Sequence, residues 1–309
     1  PGDAPLKPDV PEAVNPLEGS AIPAPHPMST DLAPASNTVT YPFTPADFDR
    51  VRKLIFARAG INLNDSKSNM VYSRLSRRLR ALQIGSFADY LDRLERDGGG
   101  EWQEFVNALT TNLTAFYREQ HHFPMFAEHL KRGGSNPSIW CAAASTGEEP
   151  YSIAMTAAES APGGKFKLVA TDIDTNVLAT ARRGVYSAEQ VRPVPDSQLR
   201  RWFQKGKGDN AGYVRARPEL SQAIDFRPLN LLAPDWPVKG PFDVVFCRNV
   251  LIYFDKPTQR RVLDRIAAEM KPGGLLFIGH SENITDRRDM FTLRGKTAYE
   301  RVGASMAAA

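Results

Sequence analysis

From about residue 135 onward the chain alternates short apolar runs with helix-length segments, and this rhythm admits few folds. Residues 138–145 read as a strand followed by a helix from Glu148, and residues 166–174 as a second strand with a helix through Arg183. Residues 242–249 read as a third strand with a helix over 256–270, and residues 275–281 and 298–302 complete the set. Apolar strands separated by helices of roughly 10–15 residues indicate an α/β fold, a parallel, doubly wound sheet. The stretch 188–228 breaks the rhythm with several Gly and Pro and is expected to be an inserted subdomain.

Upstream the pattern is helical. Thr44-Pro45 resembles an N-cap followed by proline at the first helical position. Near 66–83, Val71, Leu75, Leu79 and Leu82 form one stripe at about 100° per residue, with Arg74, Arg77 and Arg80 on the other side. A further helix over 86–97 ends at Gly98-Gly99-Gly100. Residues 41–112 are therefore expected to form a small all-helical domain ahead of an α/β domain over 113–303. Residues 1–40 hold nine prolines and no aromatic residue, too little apolar surface to offset ordering entropy, so a disordered leader is expected, as is a disordered tail over 304–309.

Composition narrows the function classes. At 309 residues and 42% apolar content the chain can bury one large core and a smaller one. No apolar run approaches the roughly 18 residues of a membrane span, and no signal-peptide pattern opens the chain, so a cytoplasmic protein without membrane insertion is expected. Cys141 and Cys247 stand alone in apolar runs and read as buried reduced thiols. The five histidines show no metal-ligand spacing, so no metal is expected. The net charge of +4 is unevenly spread: residues 50–80 hold nine Lys/Arg against the single acid Asp65, nine less one or +8. Such a field suggests an acidic partner, although a solvated helix face is the ordinary fate of a charge run.

In a doubly wound sheet, ligands bind beyond the carboxyl ends of the strands. The first strand runs into CAAASTGEEPYS (141–152), where small residues and Gly147 allow a ligand close to the backbone. Glu148 and Glu149 stand where a phosphate would want bare amides. They suit a cationic ligand, or simply complement the helix dipole. The second strand ends at ATDID (170–174), placing Asp172 or Asp174 where a carboxylate accepts ribose hydroxyls, or serves as an ordinary strand-end acid. Together they favour a nucleoside ligand without phosphates, which points to S-adenosylmethionine.

The motifs NLTAFYRE (112–119), HHF (121–123), AAASTGEEPYS (142–152), FDVVFCRNVLIYFDK (242–256) and GHSEN (279–283) resemble, in order and spacing, those of the chemotaxis receptor methyltransferase (CheR) family. The resemblance covers residues 41–302. It implies a Rossmann-like methyltransferase domain with a small inserted β-subdomain. It further implies transfer of a methyl group from S-adenosylmethionine to receptor glutamates, giving methyl esters and S-adenosylhomocysteine.

Carried over residue by residue, the resemblance puts Asn112, Thr114 and Arg118 in the cofactor pocket, with Arg118 also near the transfer site. It has Glu149 hold the methionine ammonium and Asp172 the ribose, with Asn230, Leu231, Arg248 and Asn249 completing the site and Tyr253 beside the methyl group. Gly206, Gly208, Gly212 and Arg215 match a loop that adds a receptor's C-terminal pentapeptide as an extra strand. The basic face with Arg74, Arg77 and Arg80 is expected to dock on glutamate-rich receptor helices. The partners implied are cytoplasmic receptor domains in membrane arrays, met by a monomer.

The chemistry needs no general base. A glutamate carboxylate has a reference pKa of about 4.3 and is already the nucleophile at neutral pH. Positioning then supplies most of the catalysis, where well-oriented pairs gain roughly 7–11 kcal/mol. A nucleic-acid acceptor is disfavoured: 248–254 reads RNVLIYF, with no Pro-Pro, and no aromatic residues interleave the basic face. A cofactor-sensing adaptor that binds receptors without methylating them would not need Arg118 and Tyr253 alongside Glu149 and Asp172.

Overall fold

A computed structural model of the chain describes residues 40–97 and 99–303. The expectations of a disordered leader and tail fall outside the described residues.

Four helices form the first domain: α1 (Pro45–Ala59), α2 (Ser68–Leu82), α3 (Phe87–Asp97) and α4 (Glu101–Leu109). Thr44 caps α1 as expected: its side chain accepts from the Asp47 amide at 3.2 Å, while the Asp47 carboxylate takes the Thr44 N–H at 2.9 Å. Val71, Leu75 and Leu79 are fully buried against Val51 and Ile55 of α1, Tyr90 and Leu91 of α3, and Phe105 of α4. Each such side chain contributes about 1.5–3 kcal/mol by leaving water, and Leu75→Ala would cost about 2–5 kcal/mol.

Helix α5 (His122–Arg132) leads into β1 (Ser138–Cys141), α6 (Glu148–Ser160), β2 (Lys167–Asp172) and α7 (Thr175–Arg183). Then come β3 (Val185–Ser187), α8 (Asp196–Trp202), β4 (Phe203–Lys205), β5 (Tyr213–Ala216), α9 (Pro218–Ser221) and β6 (Ile224–Pro228). The chain closes with β7 (Phe242–Cys247), α10 (Lys256–Ala268), β8 (Met270–Ile278), β9 (Phe291–Gly295) and β10 (Ala298–Arg301). The main sheet has the order β6-β2-β1-β7-β8-β10-β9. Strand β10 is antiparallel to both neighbours, β8 and β9, and the other pairings are parallel. Side chains alternate between the two faces: Ile139, Val244, Phe246, Leu275 and Phe277 enter one core with α5 and α6. Trp140, Val245, Cys247, Leu276 and Ile278 enter the other with α10. The strand order reverses between β1 and β7, and a crevice opens there.

Three expectations are corrected. The insert does not run to residue 228: Ile224–Pro228 is β6, paired in parallel with β2. Its alternating Ile224 and Phe226 join the core of the main sheet, so the small sheet β3-β5-β4 lies within Val185–Ala216. Strand β1 stops at Cys141, well short of residue 145, and the loop that follows turns through Ser145 at φ 48° and Gly147 at φ 103°. Strand β9 is an edge strand with Thr292, Leu293 and Arg294 exposed, so it shows no apolar rhythm to read.

Candidate active site

At the carboxyl end of the sheet the loops after β1, β2, β6 and β7 face the helical domain across a cleft. The cleft is concave and lined by residues of both domains, the usual setting of a small-molecule site. All nine residues expected to bind cofactor line it: Asn112, Thr114, Arg118, Glu149, Asp172, Asn230, Leu231, Arg248 and Asn249, and Tyr253 joins them.

The loop after β1 is tied down by backbone bonds, Ala142 N–H to Phe246 C=O and Ala144 N–H to Thr171 C=O, both at 2.8 Å. A Cβ on Gly147 would lie 2.5 Å from the Tyr186 hydroxyl, and its positive φ suits glycine alone. The two glutamates that follow are separated by the turn of α6. Glu148 is buried away from the cleft, accepting from Thr146 Oγ1 at 2.6 Å and Gln190 Nε2 at 3.2 Å. Glu149 faces the cleft and pairs with Arg248 Nη1 at 2.6 Å. Burial pushes the Glu149 carboxyl up, with Arg248 opposing.

The second-strand acids also part. Asp174 is the N-cap of α7, accepting from the Asn176 and Val177 amides, and it takes Thr110 Oγ1 at 2.6 Å and Asn112 Nδ2 at 2.8 Å. Asp172 lines the cleft and accepts the Ser145 and Asp174 amides at 2.8 and 2.9 Å. Burial raises its carboxyl to about 6, the amide bonds opposing. Asn230 donates to the Arg58 carbonyl at 2.8 Å, and the Asn62 amide donates to the Tyr253 carbonyl at 2.9 Å, so the helical domain is fastened to the cleft. Arg118 donates to the Leu113 carbonyl at 2.8 Å and remains partly exposed at the cleft.

The residues expected to meet the receptor lie outside the cleft, and one of them is reassigned. Arg74 is half-buried, donating to the Ala108 carbonyl at 3.2 Å and to the Thr110 carbonyl, so it fastens the end of α4 and does not present a free charge. Arg77 and Arg80 are exposed. Gly206, Gly208 and Gly212 shape the turn between β4 and β5, where a Cβ on Gly206 would collide with the Asn210 carbonyl. Arg215 is exposed on β5.

Several residues escaped the sequence reading. Ile61, Asn62, Leu63, Lys67 and Met70 of the helical domain line the cleft, a contact between domains that no local periodicity announces. Glu282 accepts amides from Gly279 (2.5 Å), Asn249 (3.0 Å) and Ile252 (3.3 Å), clamping the loop after β7 to the loop after β8. Glu119 gathers His280, Asn249 and Arg248. Both glutamates lie inside the motifs quoted above, which was the only signal for them. Glu119, His121 and His122 also bring one ligand atom each within 4.8 Å of one another, but Arg248 Nη2 lies 3.4 Å from Glu119 Oε2 and supplies positive charge there. Cys141 and Cys247 are free and buried, and burial pushes both thiols well up. Among the described residues no helix is long and apolar enough to cross a membrane.

Comparison with known proteins decides the family. The CheR methyltransferase SAM-binding domain matches residues 112–300, and the CheR all-alpha domain matches residues 46–110. The chain belongs to the CheR methyltransferase family. The chemotaxis protein methyltransferase of Escherichia coli (strain K12) is 54% identical over 258 residues, covering 82% of this chain and 90% of that protein. Chemotaxis protein methyltransferase 2 of Pseudomonas aeruginosa is 50% identical over 280 residues, covering 88% of this chain and 99% of its own length. This CheR-family chain is thus an S-adenosylmethionine-dependent methyltransferase. Its cleft fits that cofactor: the buried carboxylate of Glu149 stands in the first turn of α6, where a dinucleotide site would offer bare amides to phosphate, and that of Asp172 stands at the end of the adjacent strand β2.

Proposed function

We infer that this enzyme esterifies glutamate side chains of chemotaxis receptors inside the cleft, with Arg118 and Tyr253 at the transfer site. Bound there, the cofactor supplies an electrophilic methyl group on a sulfonium. Glu149 holds its ammonium, Asp172 its ribose, and Asn112, Thr114, Asn230, Leu231 and Asn249 wall the remainder. The chain's own work is positioning and water exclusion. A carboxylate stripped of its hydration is a better nucleophile, and Arg118 orients it without a tight pair that would stabilise the ground state. The observation that carries this reading is the convergence of Arg118 and Tyr253 with two buried carboxylates on one cleft.

Two surfaces read the protein substrate. Exposed Arg77 and Arg80 on α2 dock acidic receptor helices. The sheet β3-β5-β4 offers its edge strands to a receptor C-terminal pentapeptide, with Gly206, Gly208 and Gly212 setting the adjoining turn and Arg215 adding charge. The enzyme acts as a monomer on cytoplasmic receptor domains.

The test is transfer of a radiolabelled methyl group to a panel of receptor cytoplasmic domains. Base-labile label on a receptor is expected, as for a carboxyl methyl ester. Cofactor binding without label on any receptor would replace the enzyme-on-receptor reading with a sensing adaptor. Heat on titrating receptor C-terminal peptides tests the pentapeptide surface, and its absence removes that part.

A further inference from the structure

Beneath the cleft three charged side chains meet in near-complete burial. Arg248 has a fully buried side chain, while those of Glu149 and Glu119 are each 9% exposed. Arg248 donates to Glu149 at 2.6 Å through Nη1, and Nη2 reaches the Arg118 carbonyl and lies 3.4 Å from Glu119 Oε2. That Glu119 oxygen accepts no hydrogen bond, while Oε1 takes the His280 amide at 3.2 Å and lies 2.9 Å from His280 Nδ1. One guanidinium is therefore shared by two carboxylates, and one negative charge stays uncompensated.

The neighbours offset that charge only in part. His122, whose ring lies 3.8 Å from Glu119, is depressed to about 4 by burial and by Arg248, and is neutral at pH 7. His280 is 66% exposed, and the Arg118 guanidinium, held by the Leu113 carbonyl at the wetter side of the cleft, acts on Glu149 less than Arg248 does. Burial favours a neutral Glu119, yet His280, Arg248 and Asn249 outweigh it and hold the carboxyl at about 2, so its charge is permanent. Backbone geometry agrees that the position is specified. Glu119 has φ 53°, a left-handed conformation that a non-glycine residue keeps only where its surroundings enforce it.

We propose that Glu119 is a positioning residue for cofactor recognition: by drawing on Arg248 it leaves the Glu149 carboxylate short of positive charge and so selective for an ammonium ligand. This rests on the reading of Glu149 as the ammonium-holding residue. With Glu119 neutralised, Arg248 compensates Glu149 fully, and the ammonium of the cofactor loses its attraction. The adenosine end of the ligand, held at Asp172, would not sense the change.

The experiment is calorimetric titration of the full chain and its E119Q, E119D and E149Q variants with S-adenosylhomocysteine and with 5′-methylthioadenosine, which lacks the amino-acid end. E119Q is expected to weaken S-adenosylhomocysteine roughly tenfold, the scale of one nearby buried charge, and to change 5′-methylthioadenosine by less than about twofold. E119D, which keeps the charge, should recover most of the loss. Equal weakening of both ligands by E119Q would show a merely structural role and overturn the proposal. So would unchanged S-adenosylhomocysteine affinity in E119Q while E149Q weakens it. If E149Q itself has no effect, the ammonium assignment of Glu149 fails and the proposal falls with it, an outcome separate from the other two.

Discussion

Arg248 and Glu149 form a buried ion pair, Nη1 to Oε2 at 2.6 Å, joining the end of β7 to the first turn of α6. Breaking such a pair by removing one partner leaves a charge buried alone, which costs about 3–5 kcal/mol. Arg248→Met should therefore lower unfolding free energy by about that amount in urea titrations. Arg248→Lys keeps the charge but loses the fork that also reaches the Arg118 carbonyl, and should lie between the two. Equal stability of Arg248→Met and wild type would mean the pair contributes nothing.

If Asp172 holds the ribose as proposed, cofactor binding depends on pH. Its carboxyl, raised by burial to about 6, must be ionised to accept two ribose hydroxyls. Affinity for S-adenosylhomocysteine should be full above about pH 7 and fall as pH drops through 6. In Asp172→Asn the binding should be weak and flat over the same range. A flat wild-type profile between pH 5 and 7 would contradict the ribose assignment.

His122 acts on stability in the same pH sense as a paired carboxylate, because both hold a folded value below the unfolded one. Its folded value, about 4, lies below the roughly 6.5 of an unfolded histidine. The unfolded chain thus binds the proton first, and stability declines as pH falls from 6.5 towards 4, by no more than about 3 kcal/mol. His122→Gln should lose this part of the acid slope in denaturant midpoints, and an unaltered slope would assign it to other groups.

Reassignment of Arg74 separates two effects that the sequence merges. Arg77→Glu with Arg80→Glu should leave unfolding midpoints within about 0.5 kcal/mol. The same pair should lower receptor methylation at low salt by tenfold or more, with the difference shrinking as salt rises. Arg74→Ala should instead cost about 1–3 kcal/mol of stability, because the Ala108 and Thr110 carbonyls lose their donor. A methylation rate indifferent to the double reversal would remove α2 as a docking face.

Much of this molecule was legible in order along the chain. The alternation of Phe242–Cys247 with Lys256–Ala268, and of the strands and helices before it, follows from local apolar runs, and local patterns are what sequence displays. Thr44-Pro45 likewise announced a helix start through its own covalent chemistry, whereas the close approach at Gly147, expected for a ligand, is made by Tyr186 and Ala181. The tertiary structure alone decided between equivalent neighbours. Glu148 and Glu149 are chemically identical, and only the turn of α6 sends one into the insert and the other into the cleft. Asp172 and Asp174 differ only in which one caps α7. Arg74, Arg77 and Arg80 share a helix face, but α4 stands close enough to engage just the first of the three. Partners such as Arg58 and Asn230, or Glu119 and Arg248, are separated by more than a hundred residues, and nothing in local spacing encodes which of them meet.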